Sequence, residues 1–538
     1  MRWSSAAFLV LALVLTAAVG FARGGEEGSF APLNPEFVKY HKALRGGTLP
    51  STYRGGMEPA PVDLSHLDGK TVFPAVLRSA RGALPASYDL RAHGRVTSVK
   101  DQDPFGTCWT FAAMASLEST FLPALSADYS EYHLAYFAYV STDQYPAFTT
   151  STPGFGDNPI FDQGGQAWKS TAILSRWTGA VSEDDCPYDP SGDRVPTGNE
   201  VVRAHLQRTM FLGDSRPLSS DIKVALQAYG AVSVRIEWSN SCYSADKFSY
   251  YNQGVSAGGH AVTIVGWDDD YSASNFNVDP GGKGAWLVKN SWGKSWGDRG
   301  YFWLSYRDKS LANPAIFFGE SASNYVRNYQ YDPLGWVTDY GFGSTTAHFA
   351  NVFTAQATEQ IEAVAFYVAV PGASYDISVY TNVSGGPTTG ILSLSGQTGT
   401  LSAPGFYTIP LKTPVVVSSG KKFSVLVKLT TPDYRYPIAV EHADAGYSEQ
   451  ATANPGESFV SSDDVTWKDT VSIDRTMNVC LKAFAGTYSG PTPTPVTTVT
   501  PTVTTTPHSG GGGGCAALGM LPGAALLVPF LLVFRRRR

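Results

Sequence analysis

Gln102-Asp103-Pro104-Phe105-Gly106-Thr107-Cys108-Trp109-Thr110-Phe111 is the stretch on which the reading of this chain turns. A loop bearing Pro and Gly runs into a cysteine. From there small and apolar residues recur at helical spacing, at Trp109, Phe111, Ala112, Ala115, Ser116 and Ser119. The pattern predicts a buried helix from Cys108 to Leu122, stopped by Pro123. A thiol is a strong nucleophile only as the thiolate. At a helix start the sulfur meets unpaired N–H groups and the positive end of the peptide dipoles, which favour negative charge. Gln102 lies on the feeding loop, from which its amide can reach an oxyanion. A lone buried cysteine is more often structural than catalytic, so its partners decide the matter.

The partners lie far downstream. Gly259-His260-Ala261-Val262-Thr263-Ile264-Val265-Gly266-Trp267 reads as a strand carrying an imidazole. Ala231 to Ile236 and Ala285 to Lys289 read as strands beside it. Asn290-Ser291-Trp292-Gly293-Lys294-Ser295-Trp296-Gly297-Asp298-Arg299-Gly300-Tyr301 follows at once. With Leu84-Pro85-Ala86-Ser87-Tyr88-Asp89-Leu90-Arg91, these blocks resemble the papain family of cysteine peptidases over roughly residues 84 to 320. The histidine stands about 150 residues after the cysteine, in keeping with that family's spacing.

The resemblance implies a two-lobed α+β domain and a set of roles. Cys108 attacks the scissile carbonyl and forms an acyl-enzyme. His260 holds the thiolate as an ion pair and then protonates the leaving amine. Asn290 fixes the imidazole, and Trp292 shields their hydrogen bond from water. Gln102 and the Cys108 backbone N–H form the oxyanion hole. Gly164-Gly165 resembles the glycine pair whose backbone pairs with an extended substrate; the alternative is a bare turn. Phe105 stands where the family usually has a cysteine, and Asp103 replaces a common glycine. The disulfide that normally ties the catalytic loop is therefore absent, and packing of Phe105 is expected to substitute.

Composition sets the outer limits. The 538 residues are enough for two or three domains. The balance of 40 basic against 46 acidic side chains, net −6, leaves no basic field for a nucleic acid partner. Five cysteines without a CxxC pair argue against a disulfide scaffold and a zinc site, and no metal or cofactor is expected. Cys186 and Cys242 either pair in an oxidising compartment or remain two free buried thiols. Asp268-Asp269-Asp270 reads as a solvated loop, since calcium-ligand spacing is lacking.

The ends carry targeting chemistry. Arg2 and the apolar run Ala6 to Val19 before Gly20-Phe21-Ala22 form a secretory signal layout, residues 1–22. Residues 23–83 show no sustained helical periodicity and read as a short pro-segment or lead-in. That segment lacks the long helical pattern of many papain zymogens, which leaves self-inhibition open. Residues 84–323 are the expected peptidase domain. In residues 324–486, Ile361 to Val370, Tyr375 to Tyr380, Gly405 to Leu411, Lys422 to Leu429 and Met477 to Phe484 alternate apolar and polar residues. They predict an all-β sandwich or jelly roll. With Tyr375-Asp376-Ile377-Ser378-Val379-Tyr380 and Gly456-Glu457-Ser458-Phe459-Val460-Ser461 it resembles lectin-like modules of some bacterial papain-family peptidases. It is read either as a holder of cell-surface glycan or as a spacer. Residues 487–514 form a Pro/Thr/Gly stalk. Residues 515–538, with Cys515, an apolar stretch from Ala516 to Phe534 and four terminal arginines, resemble bacterial tripartite sorting signals. Cys515 is then a processing or lipid-attachment point; the alternative is a permanent anchor. Either way the bulk is expected outside the cytoplasm, tethered to the cell envelope.

Three activities fit these residues. The first is an endopeptidase acting on polypeptides. The second is a surface adhesin on a papain scaffold, and the third is a thiol acyltransferase.

Overall fold

The lobe that carries the nucleophile is built from helices whose ends are marked in the sequence. A computed structural model of the chain describes residues 27–47, 56–73, 84–150, 158–215, 217–255 and 257–490. The secretory segment, the tail beyond Gly490, Cys515 and the C-terminal apolar stretch lie outside these residues. Cys108–Phe121 is a helix, buried continuously from Cys108 to Ser119. Two further helices, Glu131–Tyr139 and Ala167–Ser175, flank it. Ser130 caps the first by accepting from the His133 amide, and Gln166 caps the second by accepting from the Lys169 amide. Every residue of both is buried, so they lack the polar face that reveals a surface helix in sequence.

The second lobe is a sheet. Val232–Trp238, Gly258–Asp268, Ala285–Lys289 and Tyr301–Ser305 run antiparallel in that order, so the expected strands are present. The catalytic helix packs against this sheet, chiefly on Ala312–Ser321 and Gly258–Asp268. Ser116 fastens it there by donating to the Ala231 carbonyl and accepting from the Phe317 amide.

The sheet does not end with the lobe. Ala312–Ser321 pairs with Ala204–Phe211, which pairs with Gly405–Val417 of the C-terminal half. Beyond lie Glu359–Val368, Leu481–Thr487 and Arg327–Tyr329, giving thirteen strands in one sheet. At the junction Gly405 opposes Met210 with φ of +147°, and a Cβ there would fall 1.8 Å from the Thr209 carbonyl oxygen. Only glycine fits. A six-stranded sheet, ordered Ile391–Leu401, Ala373–Thr381, Lys422–Thr430, Thr346–Thr354, Ser458–Ser461 and Lys468–Asp469, completes the all-β half.

Residues 27–47 and 56–73, where the sequence shows no sustained helical periodicity, nevertheless include a helix. Pro35–Arg45 is a helix, with Asn34 accepting from the Glu36 amide and Pro35 in its first turn. Its buried face is only Phe37, Tyr40 and His41, too short a run to register as periodicity. Ser29–Phe30 joins the edge of a sheet with Thr338–Gly341, Ile438–Glu441 and Asn478–Val479. Phe37 and His41 pack on Tyr447. This segment is thus held by the C-terminal half. Among the described residues no helix is long and apolar enough to cross a membrane.

Candidate active site

Cys108 opens its helix, as the sequence predicts, and Sγ accepts from the Ala261 amide at 3.3 Å. The strand bearing His260 therefore lies directly alongside the sulfur. His260 Nε2 is 2.8 Å from Asn290 Oδ1, which also accepts from the Ser291 amide at 2.9 Å. Because Oδ1 is an acceptor only, Nε2 carries the proton, and Nδ1 is left as the basic nitrogen of the neutral ring. Trp292 stacks on the imidazole with centroids 4.6 Å apart and an 18° tilt, and Trp238 meets Trp292 edge-on. The His–Asn bond is walled from water.

Gln102 is pinned on three sides. Its Oε1 accepts from Ser291 Oγ at 2.6 Å, its amide N–H donates to the Ser291 carbonyl, and its own carbonyl accepts from Tyr188 at 2.5 Å. Nε2 gives one proton to the Phe105 carbonyl at 2.8 Å, which leaves its second N–H for an oxyanion. Ser291 thus joins the oxyanion donor to Asn290, its hydroxyl donating to Gln102 and its amide to Asn290. Its place in the asparagine block was a signal for this role; Tyr188 and Asp162 carried none. Asp162 accepts from the Gly106 amide at 2.9 Å, and the Phe105 ring packs on Phe161 at 5.1 Å. These two contacts tether the catalytic loop where the usual disulfide is absent.

The site is covered. Cys108 is 0% and His260 2% exposed. The cover is Gly56-Met57-Glu58. A Cβ on Gly56 would fall 2.3 Å from the Gly106 carbonyl oxygen, and one on Gly259 would fall 2.9 Å from the Met57 carbonyl oxygen. Met57 shares an apolar cluster with Cys108 and Trp109. The Glu58 amide donates to the Gly165 carbonyl at 3.1 Å. Gly165 of the glycine pair thus accepts from the backbone of the cover, and a Cβ on Gly165 would strike the Trp109 ring at 2.4 Å.

Burial also sets the protonation. It pushes the Cys108 thiol up to about 12, against the pull of the Ala261 and Trp109 amides. It pushes His260 down to about 4, with the Asn290 hydrogen bond opposing. While covered, the pair is therefore thiol and neutral imidazole, not the ion pair expected for the working enzyme.

Elsewhere the structure separates what the sequence left open. Cys186 and Cys242 are both free and buried, Cys186 in the cluster around the catalytic helix and Cys242 in that of the sheet lobe. They do not pair. The Asp268–270 loop is occupied by ion pairs, Asp269 with Lys223 and Asp270 with Lys283, and Tyr306 donates to Asp269 at 2.7 Å. No metal-holding group of His, Cys, Asp or Glu is gathered among the described residues.

Comparison with known proteins agrees with this geometry. Residues 84–316 match the model of the papain family of cysteine proteases, and residues 328–485 that of a lectin-like domain. Fruit bromelain of Ananas comosus is 28% identical over 236 residues, 41% of this chain and 54% of the relative. Cysteine proteinase 2 of Entamoeba histolytica is 30% identical over 228 residues, covering 40% and 62%. The chain thus spans about half to three-fifths of the length of these relatives. Among solved structures, the cysteine protease and lectin-like domains of Cwp84, a surface layer associated protein of Clostridium difficile, superpose with a TM-score of 0.71. They are 24% identical, over 86% of this chain and 98% of that one. The same clostridial protease after propeptide cleavage gives 0.64 at 25% identity, over 75% and 99%. Residues 84–316 therefore belong to the papain family of cysteine proteases, and a lectin-like domain follows them in the same chain.

Proposed function

We propose that this chain is a cysteine endopeptidase, held latent by residues 27–73. The observation that carries the reading is the Cys108–His260–Asn290 arrangement. A thiol opens a buried helix, an amide of the histidine strand reaches its sulfur, and the imidazole is fixed so that Nδ1 is its base. Once uncovered, His260 regains basicity and the thiol acidity, so the proton passes from Sγ to Nδ1. The thiolate attacks the peptide carbonyl. The oxyanion takes the Cys108 backbone N–H and the second N–H of Gln102, a donor of this kind being worth ~3 kcal/mol of barrier. The imidazolium protonates the leaving amine. Water, deprotonated by His260, then releases the acyl group.

Latency rests on the cover over the sulfur. The structure of the clostridial relative after propeptide cleavage supports reading residues 27–73 as a removable pro-segment. A quenched peptide library, offered to the processed chain with and without an epoxide thiol trap, tests the activity. Trap-sensitive cleavage is expected. Trap-sensitive ligation would mark an acyltransferase, and no turnover an adhesin.

We further propose that the lectin-like domain binds glycan, and that the protein works outside the cytoplasm at the cell envelope. The first rests on the domain match, the second on the apolar and basic segments at the two ends of the sequence. Glycan retardation should be measured on the full chain, because excising residues 324–486 would strip Gly405–Val417 of its pairing with Ala204–Phe211. No retardation by any polysaccharide tested would remove the glycan reading.

A further inference from the structure

Beside the glycine pair, the cover segment fills a pocket whose floor is a lysine. Lys169 lies in the first turn of the helix Ala167–Ser175 and is 1% exposed. A cation is disfavoured both by burial and at a helix N-terminus, so this position calls for an anion. The anion is Glu58, 3% exposed, with Oε1 at 2.5 Å from Nζ. Tyr139 accepts from Nζ at 2.8 Å and donates to the Gly164 carbonyl at 2.7 Å. The Tyr139, Phe148 and Tyr447 rings stand 4.7–5.3 Å from the ammonium. His41 approaches the other oxygen of Glu58 at 3.6 Å.

The partners differ in what becomes of them. Glu58 and His41 belong to the segment that covers the sulfur. Lys169, Tyr139 and Phe148 belong to the peptidase domain, and Tyr447 to the lectin-like domain. When the segment leaves, the cage keeps its cation and loses its anion. What replaces the segment on the Gly165 carbonyl is substrate, and the side chain of the substrate residue paired there enters the same cage.

We propose that Lys169 makes this peptidase select polypeptides bearing Glu or Asp at the residue whose backbone pairs with Gly165. Glu58 is thus a built-in mimic of the preferred side chain. An aliphatic side chain would leave the ammonium buried without a counter-charge, and a glutamine would fill the volume without neutralising it. The inference rests on the peptidase reading and on removal of the segment.

The test uses the full chain, freed of residues 27–73 by limited proteolysis, with Cys108 shown accessible by epoxide labelling. Three fluorogenic peptides differ only in Glu, Gln or Leu at the position that pairs with Gly165. The expected result is kcat/KM at least tenfold higher for Glu than for Gln or Leu. Lys169→Met should abolish that ranking while keeping cleavage of the Leu peptide. Trap-sensitive cleavage of all three at equal rates, or a ranking that Lys169→Met leaves unchanged, overturns this inference and leaves the peptidase standing. No trap-sensitive cleavage of any peptide overturns the peptidase reading, and this one with it. Should Lys169→Met fail to fold, the wild-type ranking of Glu against its isostere Gln decides alone.

Discussion

Lys482 and Lys169 are each buried in an ion pair with a carboxylate, and they differ in who owns the anion. Lys482 meets Asp332 at 2.9 Å, both essentially inaccessible, and also donates to Gln330. Lysine and carboxylate both belong to the lectin-like domain. Lys169 meets Glu58 at 2.5 Å in equal burial, but Glu58 arrives on the segment that covers the active site. Desolvation raises Asp332 against the pull of Lys482, so its charge is only part-compensated. Desolvation opposes Glu58 as well, yet Lys169 and His41 outweigh it and hold its carboxyl below the usual glutamate value. The first pair is a fixture. The second is a contact made to be exchanged.

The largest expected effect tests the fixture. Lys482→Met leaves Asp332 buried without a counter-charge and should cost ~3–5 kcal/mol. Denaturant titrations should show this loss equally with and without residues 27–73. Lys169→Met should instead cost ~3 kcal/mol only while Glu58 is in place, and nothing or less than nothing once the segment is gone. Equal costs in both forms would erase the distinction between the two pairs.

Acid should loosen the cover in Cys108→Ala, where no thiol passes its proton to the imidazole and His260 titrates by itself. His260 is held at about 4 while buried and returns toward its ordinary 6.5 when exposed, so protons favour the uncovered form. The covered form keeps its full advantage above 6.5 and loses it as pH falls toward 4. At pH 5 the loss reaches ~2 kcal/mol, or about 30-fold in opening. Glu58, which faces Lys169, His41, Tyr139 and Tyr447, adds to the loss at lower pH, because its depressed carboxyl must be protonated there. Amide exchange at Glu58, corrected for intrinsic pH dependence, should report this opening. A flat profile from pH 7 to 5 would detach His260 from latency. The smallest effect is expected from Tyr139→Phe, which removes the hydroxyl between Lys169 and the Gly164 carbonyl. About 1 kcal/mol of covered-state stability should go with it, measured by thermal unfolding.

The catalytic centre was legible because its chemistry fixes residue types at fixed places: a helix-opening Cys108, a strand His260, an Asn290 followed by Trp292. The strands of the C-terminal half were legible from alternation and those of the peptidase half as short apolar runs, Ala285–Lys289 to the residue. The helices Glu131–Tyr139 and Ala167–Ser175 were not, since burial on every side leaves no polar phase to read. Lys169 was silent for a related reason. A lysine in sequence looks solvated, and only the fold shows that a residue far upstream brings it an anion. The crossing of Gly405 to Met210 was likewise hidden, because pairing between distant strands leaves no local mark.

Peptidase and lectin-like halves follow one another along the chain, yet Phe406 pairs with Thr209 and Tyr407 with Arg208 across the join, where the Phe211 amide donates to the Pro404 carbonyl at 2.9 Å. Melting either half would strip a ladder from the other, so the two are expected to denature together, in one calorimetric transition. A proteolytic nick near Asn324 would sever the polypeptide and still leave the halves bound.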